Sequence, residues 1–215
     1  MYILSFIIPM FLSVKKISYS VTSFAEAVDF RLWSNDKFGP VKYFRTKNKL
    51  LEYLVETVNK WSEIEIYEFG VAFGETAQKL NSTLDIKAKY FGYDTFEGLP
   101  TPWRRLPVGA LTTYGEIPQI QNINFCFHKG LIQETLPLTF VDSDRPKVFI
   151  FDLDLFEPTL FAWNYISRYL NSGDILYFDE AFDKDERVIL ENYVLNNIKY
   201  SVLGISVLGL VLIVD

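Results

Sequence analysis

From about residue 47 onward the apolar positions of this chain alternate between two periods. In Lys47 to Trp61, Leu50, Leu51, Leu54, Val55, Val58 and Trp61 fall on one helical face. The period then shortens. Glu65 to Phe69 reads as a strand, Gly70 to Gly74 as a turn, and Glu75 to Asn81 as a helix. Lys89 to Tyr93 and Phe125 to His128 read as further strands, and Lys147 to Asp152 as a buried strand with almost no polar interruption. Pro158 to Asn171 reads as a helix, with its proline in the first turn, where a missing N–H costs nothing, and Gly173 just beyond its end. Asp174 to Phe178 is the next strand and Glu186 to Asn197 a last helix. Lys199 to Gly204 and Val207 to Val214 then form an antiparallel strand pair at the sheet edge. Ahead of all this, Ser23 to Asp29 reads as a short helix.

Strands that alternate with helices at this rhythm imply a mostly parallel sheet covered on both faces. Right-handed crossovers bring the strand C-termini to one edge, where ligands of such folds bind. No repeat, low-complexity tract or linker divides the chain. Met1 to Ser13 is strongly apolar, yet too short to span a bilayer and interrupted by Pro9. It also lacks the basic start and small-residue cleavage pattern of a signal peptide. The expectation is a packed arm, or a contact between copies of the chain in a homo-oligomer.

The 215 residues suffice for one α/β domain, and 49% hydrophobic with 22% charged residues is ordinary for a soluble globular protein. Aromatics reach 17%, which is expected to feed the core rather than a pocket. The net charge of -6 and the lack of a basic stripe speak against nucleic acid as a partner. The scatter of Lys42, Arg45, Lys47 and Lys49 reads as a solvated helix start. A single cysteine, Cys126, excludes an internal disulfide and a cysteine-based zinc site, and fits a cytoplasmic, reducing setting. A single histidine, His128, removes most zinc constellations.

The chemistry-bearing residues all sit at predicted strand C-termini. In Glu68-Phe69-Gly70-Val71-Ala72-Phe73-Gly74-Glu75-Thr76, Gly70 allows a sharp turn and Gly74 a close approach to a ligand, and the helix after it offers free N–H groups. The glycines do not match the G-x-G-x-x-G dinucleotide fingerprint. Glu68, just before the turn, would oppose a pyrophosphate but welcome a cationic ligand carrying an amino group and a sulfonium. Asp94, 26 positions later, is placed for ribose hydroxyls. Asp152, Asp154, Asp179 and Glu180 end two strands that, as neighbours, would bring carboxylates to one rim. Carboxylates that close repel unless a cation joins them, and Mg²⁺ is the economical one.

Four blocks occur in order. They are Tyr67-Glu68-Phe69-Gly70-Val71 with Gly74; Gly92-Tyr93-Asp94-Thr95-Phe96-Glu97-Gly98-Leu99-Pro100; Lys129-Gly130 with Glu134-Thr135-Leu136-Pro137; and Asp152-Leu153-Asp154-Leu155-Phe156-Glu157-Pro158-Thr159 with Phe178-Asp179-Glu180. From about Glu65 to Glu180, the chain resembles the macrocin O-methyltransferase family of class I S-adenosylmethionine-dependent enzymes.

The resemblance implies a Rossmann-like α/β fold, a mostly parallel seven-stranded sheet with an antiparallel last strand and helices on both faces. It implies methyl transfer to a hydroxyl of a small molecule, a sugar or glycoside, assisted by Mg²⁺. Residues 1–46 would be an arm with short helices, and 47–215 the S-adenosylmethionine-binding domain. The cofactor-contacting candidates are Glu68, Gly70, Val71, Gly74, Glu75, Thr76, Asp94, Thr95, Phe96, Gly130 and Asp152. The metal candidates are Asp152, Asp179 and Glu180, where the family usually has Asp at the last position. The catalytic candidates are Asp152, Asp154 and Asp179.

No histidine lies in Thr101 to Gln121, where a family-type base would be expected, and His128 is better suited to a structural or adenine-adjacent role. Asp154 or a metal-bound hydroxide would then serve as base. Trp33, Trp103, Arg104, Arg105 and Tyr114, in the unmatched stretches, are candidates for the acceptor pocket. The competing reading is a non-catalytic binding or assembly module that retains the cofactor site.

Overall fold

The structure, a computed structural model, describes residues 22, 24–122, 124–139, 141 and 144–215. The apolar run at 1–13 lies outside them. The chain groups into two compact units that divide between Pro40 and Val41. In the first, residues 24–38 are helical, well past the expected end at Asp29. Aromatic rather than aliphatic positions carry this helix on: Trp33 stacks on Phe30, ring centroids 5.7 Å apart, and meets Phe38 edge-on at 5.3 Å.

The second unit alternates helix and strand: α1 (Lys47–Val58), β1 (Glu63–Phe69), α2 (Glu75–Thr83), β2 (Lys87–Asp94), β3 (Phe125–Lys129), α3 (Ile132–Thr135), β4 (Lys147–Phe151), α4 (Phe156–Ile166), β5 (Ile175–Phe178), α5 (Lys184–Ile189), β6 (Tyr200–Ile205) and β7 (Leu210–Val214). The strands form one sheet in the order β3-β2-β1-β4-β5-β7-β6. All pairings are parallel except those of β7, which runs antiparallel between β5 and β6. The seven-stranded Rossmann-like sheet with its reversed last strand is therefore present.

α1 starts where the Thr46 side chain accepts from the Lys49 N–H at 3.2 Å, a polar cap that fixes the first turn. Its stripe of Leu50, Leu51, Leu54, Val55 and Val58 joins Ala77 and Leu80 of α2 in one cluster with Ile64, Ile66, Tyr90, Val148, Ile150, Ile175, Tyr177 and Val211 of the sheet. Each such buried aliphatic side chain contributes about 1.5–3 kcal/mol of transfer free energy. The alternate strand positions build an aromatic layer: Tyr67 stacks between Phe91 and Phe149 at 5.0 and 5.2 Å, and Phe151 on Phe178 at 4.5 Å. The aromatic richness thus feeds the core. Lys147, fully buried in β4, is held by Asp174 at 3.1 Å and by the Arg145 carbonyl at 3.0 Å, so the single charge in that apolar strand is satisfied. Among the described residues no helix is long and apolar enough to cross a membrane.

Register sets up the site. Phe69 pairs with Tyr93 and with Phe151, and Phe151 with Phe178. The ladder runs one step further, with Gly70 N–H donating to the Tyr93 carbonyl at 2.9 Å, Asp152 N–H to Phe69 at 2.8 Å and Asp179 N–H to Phe151 at 3.0 Å. Gly70, Asp94, Asp152 and Asp179 therefore stand side by side along one rim of the sheet.

Candidate functional site

Gly70 makes this rim tight. It holds φ +88°, and a Cβ there would lie 1.8 Å from the Asp152 carbonyl oxygen, so only glycine fits between β1 and β4. Three non-glycine residues around it also adopt the left-handed region: Ala72 at φ +45°, Phe96 at +57° and Asp154 at +63°. Such backbone persists where surrounding contacts over-determine it, and it concentrates at functional sites.

Above the rim opens a cavity of about 680 Å³. Gly70, Ala72, Tyr93, Asp94, Thr95, Gly130, Asp152 and Asp154 line it from the strand ends, and Leu153, Leu155, Phe156, Glu157 and Pro158 from the start of α4. The stretch 98–102 with Leu111 supplies one wall, and Asp185 reaches in from α5. No lysine or arginine is among these lining residues. Of the expected cofactor contacts, Gly70, Asp94, Thr95, Gly130 and Asp152 face the cavity. Val71 and Phe96 are instead buried core, and Gly74 caps α2 beneath Pro118. Glu75 and Thr76 lie in the first turn of α2, outside the lining.

Asp94 is doubly used. Its Oδ2 accepts from the N–H groups of Val71 and Ala72, each at 2.8 Å, and its Oδ1 from Phe96 N–H at 2.7 Å. The carboxylate thus stitches the glycine turn to the end of β2 while still facing the cavity.

Glu68 does not sit where the sequence suggests. It is buried, absent from the cavity lining, and its carboxylate accepts from the Tyr90 hydroxyl. Burial is the main reason its pKa rises to about 8, and Asp179 and Asp94 nearby add to it.

The acidic rim is real and larger than expected. Asp154, 8% exposed, has its pKa lifted to about 7 by burial and then by Asp179. Burial and the charges of Asp179 and Asp154 push Asp152 well above the usual carboxylate range. Glu180 rises to about 8 through burial and Asp179. Glu186, fully buried, joins them with its Oε2 accepting from Glu180 N–H at 3.2 Å, and burial raises it strongly too.

The cation in this rim comes from the chain. Lys47, at the first position of α1, bonds Asp179 Oδ2, and the Tyr177 hydroxyl donates to Asp179 Oδ1 at 2.7 Å. Burial opposes the charge of Lys47, but Asp179, Asp152 and Glu180 outweigh it and raise its pKa. The expected solvated helix start is thus an ion-pairing position. Asp179 and Glu180 are absent from the cavity lining, and among the described residues no three His, Cys, Asp or Glu side chains converge as a metal ion requires. The expected metal set of Asp152, Asp179 and Glu180 is not assembled, because Lys47 and Tyr177 take both oxygens of its middle member.

His128 lies in β3, half-buried and stacked flat on Tyr93 at 4.7 Å, outside the cavity lining. Burial lowers its pKa. Arg104 donates to Asp183 at 3.2 Å and lies over the Phe182 ring, pinning the 99–120 stretch to the turn after β5. Trp103, Arg104, Arg105 and Tyr114 do not line the cavity, and Tyr114 is 88% exposed.

A scan against family models finds no match to this chain, and a search of curated proteins finds none either. Solved structures do match in fold. CalS11, described as a calicheamicin methyltransferase, superposes with a TM-score of 0.60 at 21% identity over 77% of each chain. The O-methyltransferase NovP does so with a TM-score of 0.63 at 16% identity, over 77% of this chain and 78% of that one. An apo structure of CalS11, there described as a TDP-rhamnose 3'-O-methyltransferase, gives a TM-score of 0.53 at 23% identity over 77% of each chain. At such identities the likeness defines the fold: that of class I methyltransferases.

Proposed function

We propose that this chain is an S-adenosylmethionine-dependent O-methyltransferase acting on a hydroxyl of a small molecule, a sugar or glycoside in the first instance. The observation that carries the reading is the cavity in which Gly70, Asp94, Asp152 and Asp154 meet at the carboxyl ends of β1, β2 and β4. The donor set suits a ligand of net positive charge, since carboxylates line the cavity and no basic residue does. Its volume of about 680 Å³ is within the usual range of ligand sites. The fold neighbours support it: NovP is described as an O-methyltransferase and CalS11 as a TDP-rhamnose 3'-O-methyltransferase. The narrower macrocin-type assignment rests on the four sequence blocks.

When bound, S-adenosylmethionine supplies an electrophilic methyl carbon on sulfonium sulfur. Asp94, with one acceptor site left on Oδ1 beyond its three backbone partners, would accept from a ribose hydroxyl. The turn at Gly70 and Thr95 and Gly130 on either side of Asp94 shape the wall. Asp152, also in the lining, would border the methionine part. Asp154 is the base. It would take the proton of the acceptor hydroxyl as that oxygen accepts the methyl group that S-adenosylmethionine would supply. A carboxylate with pKa about 7 is matched to that task at neutral pH.

The divalent ion implied by the sequence resemblance does not fit the rim as it stands, because Lys47 already holds Asp179. Proton removal is therefore assigned to Asp154 alone.

The test is transfer of labelled methyl from S-adenosylmethionine to a panel of sugars, glycosides and phenols. A methylated oxygen product supports the reading. Cofactor binding without transfer to any acceptor would favour a binding module.

A further inference from the structure

The Lys47–Asp179 pair joins residues 132 apart in sequence, and its geometry comes from packing. α1 is held over the sheet by five buried aliphatic side chains. Tyr177 lies in that same cluster, and Asp179, two positions on, emerges at the rim on the same face. The first residue of α1 is thereby delivered to the end of β5. Thr46 caps the helix through Lys49 N–H, so the backbone at Lys47 is fixed on both sides. The side chain is 45% exposed: its stem lies at the surface, and its ammonium reaches in to a carboxylate that is 6% exposed.

With Tyr177 on one oxygen of Asp179 and Lys47 on the other, a metal ion would have to displace a hydrogen bond or an ion pair to coordinate there. The charge of Lys47 also acts on Asp152 and Glu180. The ammonium bonds Asp179 directly and acts on the other two carboxylates only through its charge. A compact, three-donor point charge on a flexible stem is suited to that place.

We propose that the Lys47 ammonium is the resident cation of the acidic rim, standing in place of a divalent ion, and that removing it leaves the Asp179 carboxylate open to a divalent cation. The consequence for activity, methyl transfer independent of added metal, rests on the function proposed above; the cation exchange itself does not.

Mn²⁺ is the probe, with uptake by the full chain followed by electron paramagnetic resonance after chelator treatment, in wild type, Lys47→Arg and Lys47→Met. Wild type and Lys47→Arg are expected to take up no Mn²⁺ below ~1 mM, and Lys47→Met to bind one ion at least ~tenfold more tightly. Melting of Lys47→Met should fall by ~4 °C and recover on adding Mn²⁺. Micromolar Mn²⁺ binding by wild type overturns the proposal, and that result stands even if Lys47→Met does not fold. Absence of binding by a folded Lys47→Met overturns it equally. S-adenosylhomocysteine is titrated into the same preparations. Its binding alongside micromolar Mn²⁺ uptake by wild type sinks only the resident-cation proposal. Its failure to bind sinks only the methyltransferase reading.

Discussion

Asp94 Oδ2 accepts from the backbone N–H of Val71 at 2.8 Å, so one carboxylate both faces the cavity and holds the glycine turn that shapes it. With Ala72 and Phe96, three backbone donors converge on this side chain. Asp94→Asn can keep its oxygen on Val71 and Ala72 only by setting its NH2 against Phe96 N–H, and the two bonds it keeps lose their charge assistance. Charge-assisted bonds of this kind contribute about 1.5–3 kcal/mol each, so the expected loss is about 3 kcal/mol in urea unfolding. A loss of S-adenosylhomocysteine affinity of at least ~tenfold should accompany it. Weakened binding with unchanged stability would mean that the turn does not depend on Asp94.

Glu68 predicts a pH dependence. Its folded pKa of about 8 lies above the ordinary 4.5, so the folded chain keeps a proton that the unfolded chain releases. This contribution is complete below about pH 4.5 and is lost as pH rises toward 8. Asp154 and Glu180, raised to about 7 and 8, slope in the same direction. Wild type should therefore be more stable at pH 5.5 than at pH 8. Glu68→Gln should lessen the difference by about 2 kcal/mol. Unfolding curves at the two pH values check this, and an unchanged difference in the variant would show that Glu68 is ionised in the folded chain.

Asp154→Asn separates chemistry from binding. The expected result is a fall in kcat of about 10²–10⁴-fold with S-adenosylhomocysteine affinity changed less than ~threefold. In wild type, kcat/KM should climb with pH through about 7 as Asp154 gives up its proton. A variant that retains full kcat would remove Asp154 as the base.

Gly70→Ala sets a Cβ 1.8 Å from the Asp152 carbonyl at a φ of +88°. Neither β1 nor β4 can yield without breaking the ladder bond from Asp152 N–H to Phe69. Destabilisation of at least about 3 kcal/mol is expected. A variant that unfolds at the wild-type urea midpoint would contradict this close approach.

The strands were legible in the sequence because their signal is local. Lys147 to Phe151 reads as buried from its uninterrupted apolar run, and β7 from its own. α3 was not, since four residues followed by Pro137 carry no period to detect. The rim could be placed because β1, β4 and β5 each end one residue before a glycine or an aspartate and β2 ends on Asp94. Where each side chain points was harder to read. Glu68 continues the alternation of Ile64 and Ile66, a signal that places it inside, but its position before the glycine turn suggested a ligand contact. Lys47 carried no signal at all. It looks like any exposed helix start, and its partner is defined only by how α1 docks on the sheet.

Isothermal titration of the full chain with S-adenosylhomocysteine tests the central claim most directly. The expected result is one site per chain with micromolar affinity, weakened in Asp94→Asn and little changed in Asp154→Asn. No binding by well-folded wild type at ~1 mM ligand would contradict it.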